Sequence, residues 1–390
     1  MIWPHLYTSP NDRCVINIDG KSYDCTSWRH SHPGGAELID KFNNADATDV
    51  FYAFHSKKAL DQLQRMRSAP APPKSQEEIT IKFQQFRKQM VEEGYFDRIW
   101  WKDFCYNLAP MFACAILGTY LAWSNPIIAT LLLGVAWQQA GWLGHDYHHG
   151  RGDASQLLGY ALGGCVNGFS SRWWNHKHNT HHAFPNRKEV DSDIHNEPIL
   201  HLWFPDQSKD VWFRKYQHYY YQFVYAFLYV SWRMQSIQFA LSSKNWVERG
   251  LIALNYAFLL SLPWKVALGS VLLGGWLVAI VVTANHQTED ILENDAPYNF
   301  VRDQLNTTRG VHCSDPITEF LFGGMQYQVE HHLFPFMPRY NFPAVRVRVN
   351  KFCEENGLQH HISGVADIMK MNYDVIKQRA LGPAVVPRRQ

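Results

Sequence analysis

Two pairs of apolar runs dominate the hydrophobic pattern of the chain. Residues 108–123 and 127–142 are separated only by Ser-Asn-Pro, and residues 250–264 and 266–284 meet around Pro263-Trp-Lys265. A bilayer core of about 30 Å takes roughly 17–25 helical residues, so each run is a minimal span. The short breaks between partners predict two helical hairpins, about four transmembrane helices in all. Residues 157–169 and 219–241 are also apolar, but too short, too polar or too aromatic to span, and are predicted to be interfacial or re-entrant. Upstream, Ile79, Phe83, Phe86 and Met90 recur at helical spacing, predicting an amphipathic helix laid on the membrane or on the next domain. Trp100-Trp101-Lys102 follows as an interfacial anchor. The first stretch is different. Val15-Ile-Asn-Ile18 reads as a short strand before an Asp19-Gly20 turn, and residues 36–42 and 46–54 read as two short helices. Ser68-Ala-Pro-Ala-Pro-Pro73 breaks structure and marks a boundary. The pattern therefore divides the chain into a small α+β domain at residues 1–67, a linker with an amphipathic helix at 68–98, and a mainly α-helical membrane domain at 99–390.

Composition adjusts this picture in three ways. A net charge of +2 gives no reason to expect nucleic acid as a partner. Mean hydropathy of -0.31 argues against a wholly embedded chain and suits a membrane domain joined to polar parts. The seven cysteines are scattered without a CxxC pair and read as reduced, structural thiols. The first residues, MIWPHLYTSPNDR, show no basic region leading into an apolar run, so no cleaved signal peptide is expected there.

The chemistry lies in histidines placed beside the apolar runs. They read His145-Asp-Tyr-His148-His149, His178-Asn-Thr-His181-His182 and Gln328-Val-Glu-His331-His332, with His286 at the end of the fourth run. Residues three or four apart share a helix face, so His145 with His149, and His178 with His181 and His182, can grip one ion together. A single zinc needs three or four ligands. The eight candidates His145, His149, His178, His181, His182, His286, His331 and His332 are better matched to two ions. Imidazole suits iron, zinc or copper alike. Asp146 and Glu330 stand beside ligands and are candidate acceptors for imidazole N–H groups. Span parity puts every cluster on one side of the membrane.

The first domain offers a reason for redox chemistry. Ser31-His32-Pro33-Gly34-Gly35 sets an imidazole at a tight turn, and His55 follows 23 residues on, with Leu38, Ile39, Phe42, Val50, Phe51 and Phe54 available to line a crevice. Two histidines across such a crevice can hold a porphyrin. The HPGG motif, the Asp46-Ala47-Thr48 helix start and the spacing to His55 resemble cytochrome b5 over nearly the whole stretch. The resemblance implies haem b with His32 and His55 as axial ligands, acting as an electron donor. An electron carrier fused to a zinc hydrolase has no task, so the fusion favours iron and dioxygen.

The histidine clusters, with Trp173-Trp174-Asn-His-Lys-His178 before the second and Gln328-Val-Glu-His-His-Leu-Phe-Pro335 at the third, resemble front-end fatty acid desaturases fused to cytochrome b5. The resemblance implies two non-haem iron ions, dioxygen as oxidant and NADH–cytochrome b5 reductase as the electron source. The substrate it implies is a polyunsaturated acyl chain, carried as acyl-CoA or phospholipid, gaining a cis double bond between an existing one and the carboxyl end. It further implies a multi-pass endoplasmic reticulum protein whose haem and metal centre face the cytosol. The first cluster carries one histidine more than the family pattern, so His148, with Asp146 and Gln328, is assigned an orienting rather than a ligating role. His176 stays open. A sphingolipid long-chain-base desaturase or hydroxylase of the same fold is the alternative, and a haem carrier with merely structural metal is the rival from another class.

Overall fold

The computed structural model of the protein describes residues 13–72 and 76–385. Its chain forms two compact units, Met1–Gln85 and Phe86–Gln390.

In the first unit, alternation of apolar and polar residues builds β1 (Val15–Ile18), which pairs antiparallel with β2 (Lys21–Asp24). Ile16 and Ile18 point inward while Asp19-Gly20 makes the turn, both residues at positive φ. Helices α1 (Ala36–Lys41), α2 (Thr48–Phe54) and α3 (Lys57–Arg65) follow, the first two where the sequence places them. The expected boundary at residue 67 is corrected by β3 (Ser68–Pro70), which adds to β2 as the third strand. The proline-rich stretch therefore begins inside this unit's sheet. Proline is tolerated there because β3 is an edge strand, where no ladder bond is lost on the open side. Helix α4 (Glu78–Glu92) buries Ile79, Phe83, Phe86 and Met90, the face its periodicity marks.

The second unit is built on three helices long and apolar enough to cross a membrane, α5 (Trp100–Leu121), α6 (Pro126–His149) and α12 (Trp264–Gln287). Between α6 and α12 lie α7 (Asp153–Tyr160), α8 (Ser171–Ala183), α9 (Gln217–Ala226), α10 (Leu228–Ser242) and α11 (Trp246–Leu260). The remaining expected span falls on α11, which is shorter than these three. Asn245 caps its start, accepting from the amides of Val247 and Glu248, and the Ser261-Leu262-Pro263 break ends it. Fifteen residues rise about 22 Å, short of a bilayer core. Its buried faces also carry Glu248 and Asn255. Beyond α12 come α13 (Phe300–Thr307), β4 (Gly310–His312), α14 (Pro316–Phe322), α15 (Gln328–Leu333), α16 (Phe342–Glu355), β5 (Ile362–Gly364) and α17 (Val365–Leu381). Strands β4 and β5 pair in parallel.

Helices α6 and α12 run side by side in the same direction. Small residues set their distance: a Cβ on Gly274 would meet the Gly134 carbonyl oxygen and Trp137 Cβ, each at 3.1 Å. Trp137 Nε1 donates to Ser270 Oγ (3.0 Å) and Gln138 Nε2 to the Leu277 carbonyl (3.2 Å). The turn into α10 is pressed against the same helix, because a Cβ on Gly275 would meet Tyr229 N at 2.9 Å and Ala226 O at 3.0 Å. Backbone cannot yield as a side chain does. Gly275→Ala is therefore expected to cost about 1–3 kcal/mol of stability, read as an earlier thermal melt in detergent. An unchanged melt would show that the close approach relaxes.

Candidate metal centre

Each cluster histidine is delivered by a helix within its last two turns: His145 and His149 by α6, His178, His181 and His182 by α8, His286 by α12, His331 and His332 by α15. All eight are less than a tenth exposed. They fall into two groups. His145, His149, His178, His182 and His331 have ligand atoms all within 4.8 Å of one another, and so do His181, His286 and His332. The groups abut where neighbours in sequence diverge, His181 from His182 and His331 from His332; the His182 and His332 rings stack at 4.1 Å.

Within the five-membered group, Nε2 of His182 lies 3.0 Å from Nε2 of His178 and 3.0 Å from Nε2 of His331. Burial, followed by the facing imidazoles, holds His178, His182, His331 and His332 well below the usual histidine value. These are neutral rings whose nitrogens converge, an arrangement that a cation between them satisfies. Nε2 of His149 and of His332 are buried without a protein partner, which is costly unless a ligand completes them. The residues thus fit an all-nitrogen pair of metal ions.

The three-membered group is tied from behind. His181 Nδ1 donates to Asp191 Oδ2 (2.7 Å), His332 Nδ1 to Gln304 Oε1 (2.7 Å) and His286 Nδ1 to the Thr307 carbonyl (3.0 Å). With each proton placed on Nδ1 by its bond, Nε2 is the lone-pair nitrogen. Burial alone would pull His181 down, but the Asp191 charge and hydrogen bond outweigh it and raise it above the usual value. Burial likewise opposes ionisation of Asp191, yet His181 and the Asp193 amide bring the carboxyl down to about 2.

The residues given orienting roles are placed as follows. Gln328 Nε2 lies 2.9 Å from His286 Nε2, and its Oε1 accepts from Asn285. His148 belongs to neither group; its Nδ1 donates to the Gly144 carbonyl and its ring lies against Gly163. His176 is also outside both groups. For Asp146 and Glu330 the expectation is corrected. Asp146 accepts from Arg339 (2.9 Å) and Glu330 from Arg346 (3.2 Å), so the carboxylates anchor arginines and do not orient cluster imidazoles. The reason is directional: next to a ligand in sequence, a helical residue points to a different face. Asp191 and Gln304, which do orient rings, escaped the sequence reading because they stand outside the clusters, Asp191 on a loop ten residues after His181 and Gln304 on α13, 28 residues before His332.

In the first unit, His32 and His55 face the same space, their ring centroids 5.8 Å apart. His32 Nδ1 donates to the Gly35 carbonyl and His55 Nδ1 to the Phe51 carbonyl, both at 3.0 Å. Phe51 stacks on His55 at 4.5 Å. A Cβ on Gly34 would meet His32 Cε1 at 2.9 Å, so glycine is needed for this ring position.

A sequence profile described as Fatty acid desaturase matches residues 121–364, more than half the chain, and spans all three clusters. The chain belongs to the fatty acid desaturase family. A second profile, Cytochrome b5-like Heme/Steroid binding domain, matches residues 5–95, so the desaturase carries its own cytochrome b5-like domain. It is similar to the Delta(8)-fatty-acid desaturase of Euglena gracilis, 30% identical across 88% of this chain and 90% of that one. It is similar also to the Delta(6)-fatty-acid desaturase of Caenorhabditis elegans, 29% identical across 94% and 96%. The Acyl-lipid 8-desaturase of Rebecca salina is 30% identical across 93% of each chain. This desaturase is an oxidoreductase and, with its three long apolar helices, a membrane protein.

Proposed function

We propose that this chain is a front-end fatty acid desaturase that inserts a cis double bond between an existing one and the carboxyl end of a polyunsaturated acyl chain. The observation that carries the reading is the pairing of five and three buried imidazoles in a desaturase whose own first unit is cytochrome b5-like. Relatives bearing delta-5, delta-6 and delta-8 names, and Gln328 in place of a first histidine in the third cluster, support the front-end assignment. His145, His149, His178, His182 and His331 would hold one iron, and His181, His286 and His332 the other. Two iron ions supply the dioxygen-dependent oxidation of an unactivated methylene pair, which no side chain can perform. The protein's part is to fix the imidazoles, keep water out and hold the chain in place.

His32 and His55 are assigned as axial ligands of haem b, fed by NADH–cytochrome b5 reductase. The shared direction of α6 and α12 supports a centre at one membrane face, which we assign to the cytosolic side of the endoplasmic reticulum. The acyl chain is taken as a thioester of coenzyme A or as part of a phospholipid. Expression in a yeast lacking polyunsaturated lipids, fed C18 and C20 polyunsaturated acids one at a time, tests the reading. A new double bond on the carboxyl side of an existing one, located by mass spectrometry, is the expected result. A modified sphingoid base beside untouched fatty acids would move the substrate to long-chain bases.

A further inference from the structure

The two histidine groups are supported unequally. Every ring of the three-membered group donates its Nδ1 proton to a protein oxygen: His181 to Asp191, His332 to Gln304, His286 to Thr307. In the five-membered group, Nδ1 of His145 and of His331 are buried with no protein partner. Asp191 is itself a built feature. It is fully buried, and besides His181 it accepts from the amides of Asn186 (2.8 Å) and Asp193 (2.9 Å). The loop that carries it turns at Asn186 and Glu189, both at positive φ. Asn186 in turn donates its Nδ2 to the carbonyls of His286 (2.9 Å) and Asp290 (3.0 Å), fastening this loop to the end of α12. One loop therefore fixes two of the three rings, through a carboxylate on one and a backbone clamp on the other.

We propose that Asp191 is a positioning residue that makes the three-histidine group the tighter of the two metal sites. A ring whose tautomer and orientation are already set loses less freedom when its Nε2 takes an ion, and an anionic acceptor behind it makes that nitrogen a stronger donor. Rings without such acceptors gain neither advantage. The five-histidine group is then the one that loses its ion first, despite its larger number of ligands. This ordering rests on the two-ion assignment of the proposed function.

The test uses the full chain purified in detergent, dialysed against increasing concentrations of a metal chelator, with iron per chain measured by inductively coupled plasma mass spectrometry and haem measured separately by its absorbance. Wild type is expected to release two non-haem ions in two steps. Asp191→Asn keeps the size of the side chain but places an NH2 where one of three donors needs an acceptor. It is expected to shift the later step to about 10–100-fold lower chelator while the earlier step and the haem stay put. A general loosening of the fold would move both steps. Gln304→Met, which removes the acceptor of His332, is expected to shift the same step, and it replaces the aspartate variant if that one is not monodisperse. Two steps unchanged in the variants overturn the inference and leave the two-ion centre intact. A wild type that retains no non-haem metal would instead overturn the two-ion assignment itself.

Discussion

His331→Ala is expected to reduce product formation to below detection while the haem absorbance of the first unit is unchanged. The His331 ring is fully buried, its Nε2 lies 3.0 Å from that of His182, and its centroid is 4.4 Å from His145 and 5.1 Å from His149. It touches three other members of the five-histidine group, so its loss opens that group at the middle. Removing a group that merely orients a ligand costs about 10–100-fold; removing the ligand should exceed this. The cavity left is small and polar, and the chain should still fold, which a single detergent elution peak would verify. Product at wild-type level would strike His331 from the ligand set. Retained haem with lost product would localise the chemistry to the second unit.

The opposite signature is expected of His32→Ala: haem falls from one per chain to none, and turnover falls with it to background, while non-haem metal is kept. Burial holds the His32 imidazole below its usual value, and its Nδ1–H is engaged by Gly35, so the ring is presented neutral with Nε2 as the donor. Alanine leaves His55 as a lone axial ligand beside an apolar crevice. The measurement is the absorbance spectrum of the purified variant together with product from the fed yeast. Full turnover restored by a separately supplied cytochrome b5 would show that the fused haem is a convenience and not a requirement.

Much of this fold is readable from spacing alone, where local periodicity decides. The buried face of α4, the strand and turn at Val15–Gly20 and the long helices at 126–149 and 264–287 follow from residues that are near neighbours in sequence. The limits appear where tertiary pairing takes over. β3 reads as linker because its only justification is a partner 47 residues earlier, Ser22 facing Ala69. Helix α11 keeps the 15-residue length of its apolar run but starts four residues earlier, at the Asn245 cap. At the centre, the eight histidines are legible from motif and position. Their division into five and three is not, since it depends on how α8 and α15 each send adjacent histidines to different groups. Asp191 and Gln304 lie still further from any pattern, one on a loop and the other on α13, brought to the rings only by the folded chain.

The four helices that deliver the histidines all do so with their C-terminal ends. Each such end carries a partial negative charge of about half an elementary unit from its unpaired carbonyls. Imidazole ligands are neutral, so two divalent ions held by the five- and three-histidine groups would bring four positive charges into a buried space. The converging helix ends, with the Asp191 carboxylate behind them, would offset part of that charge without any added ligand.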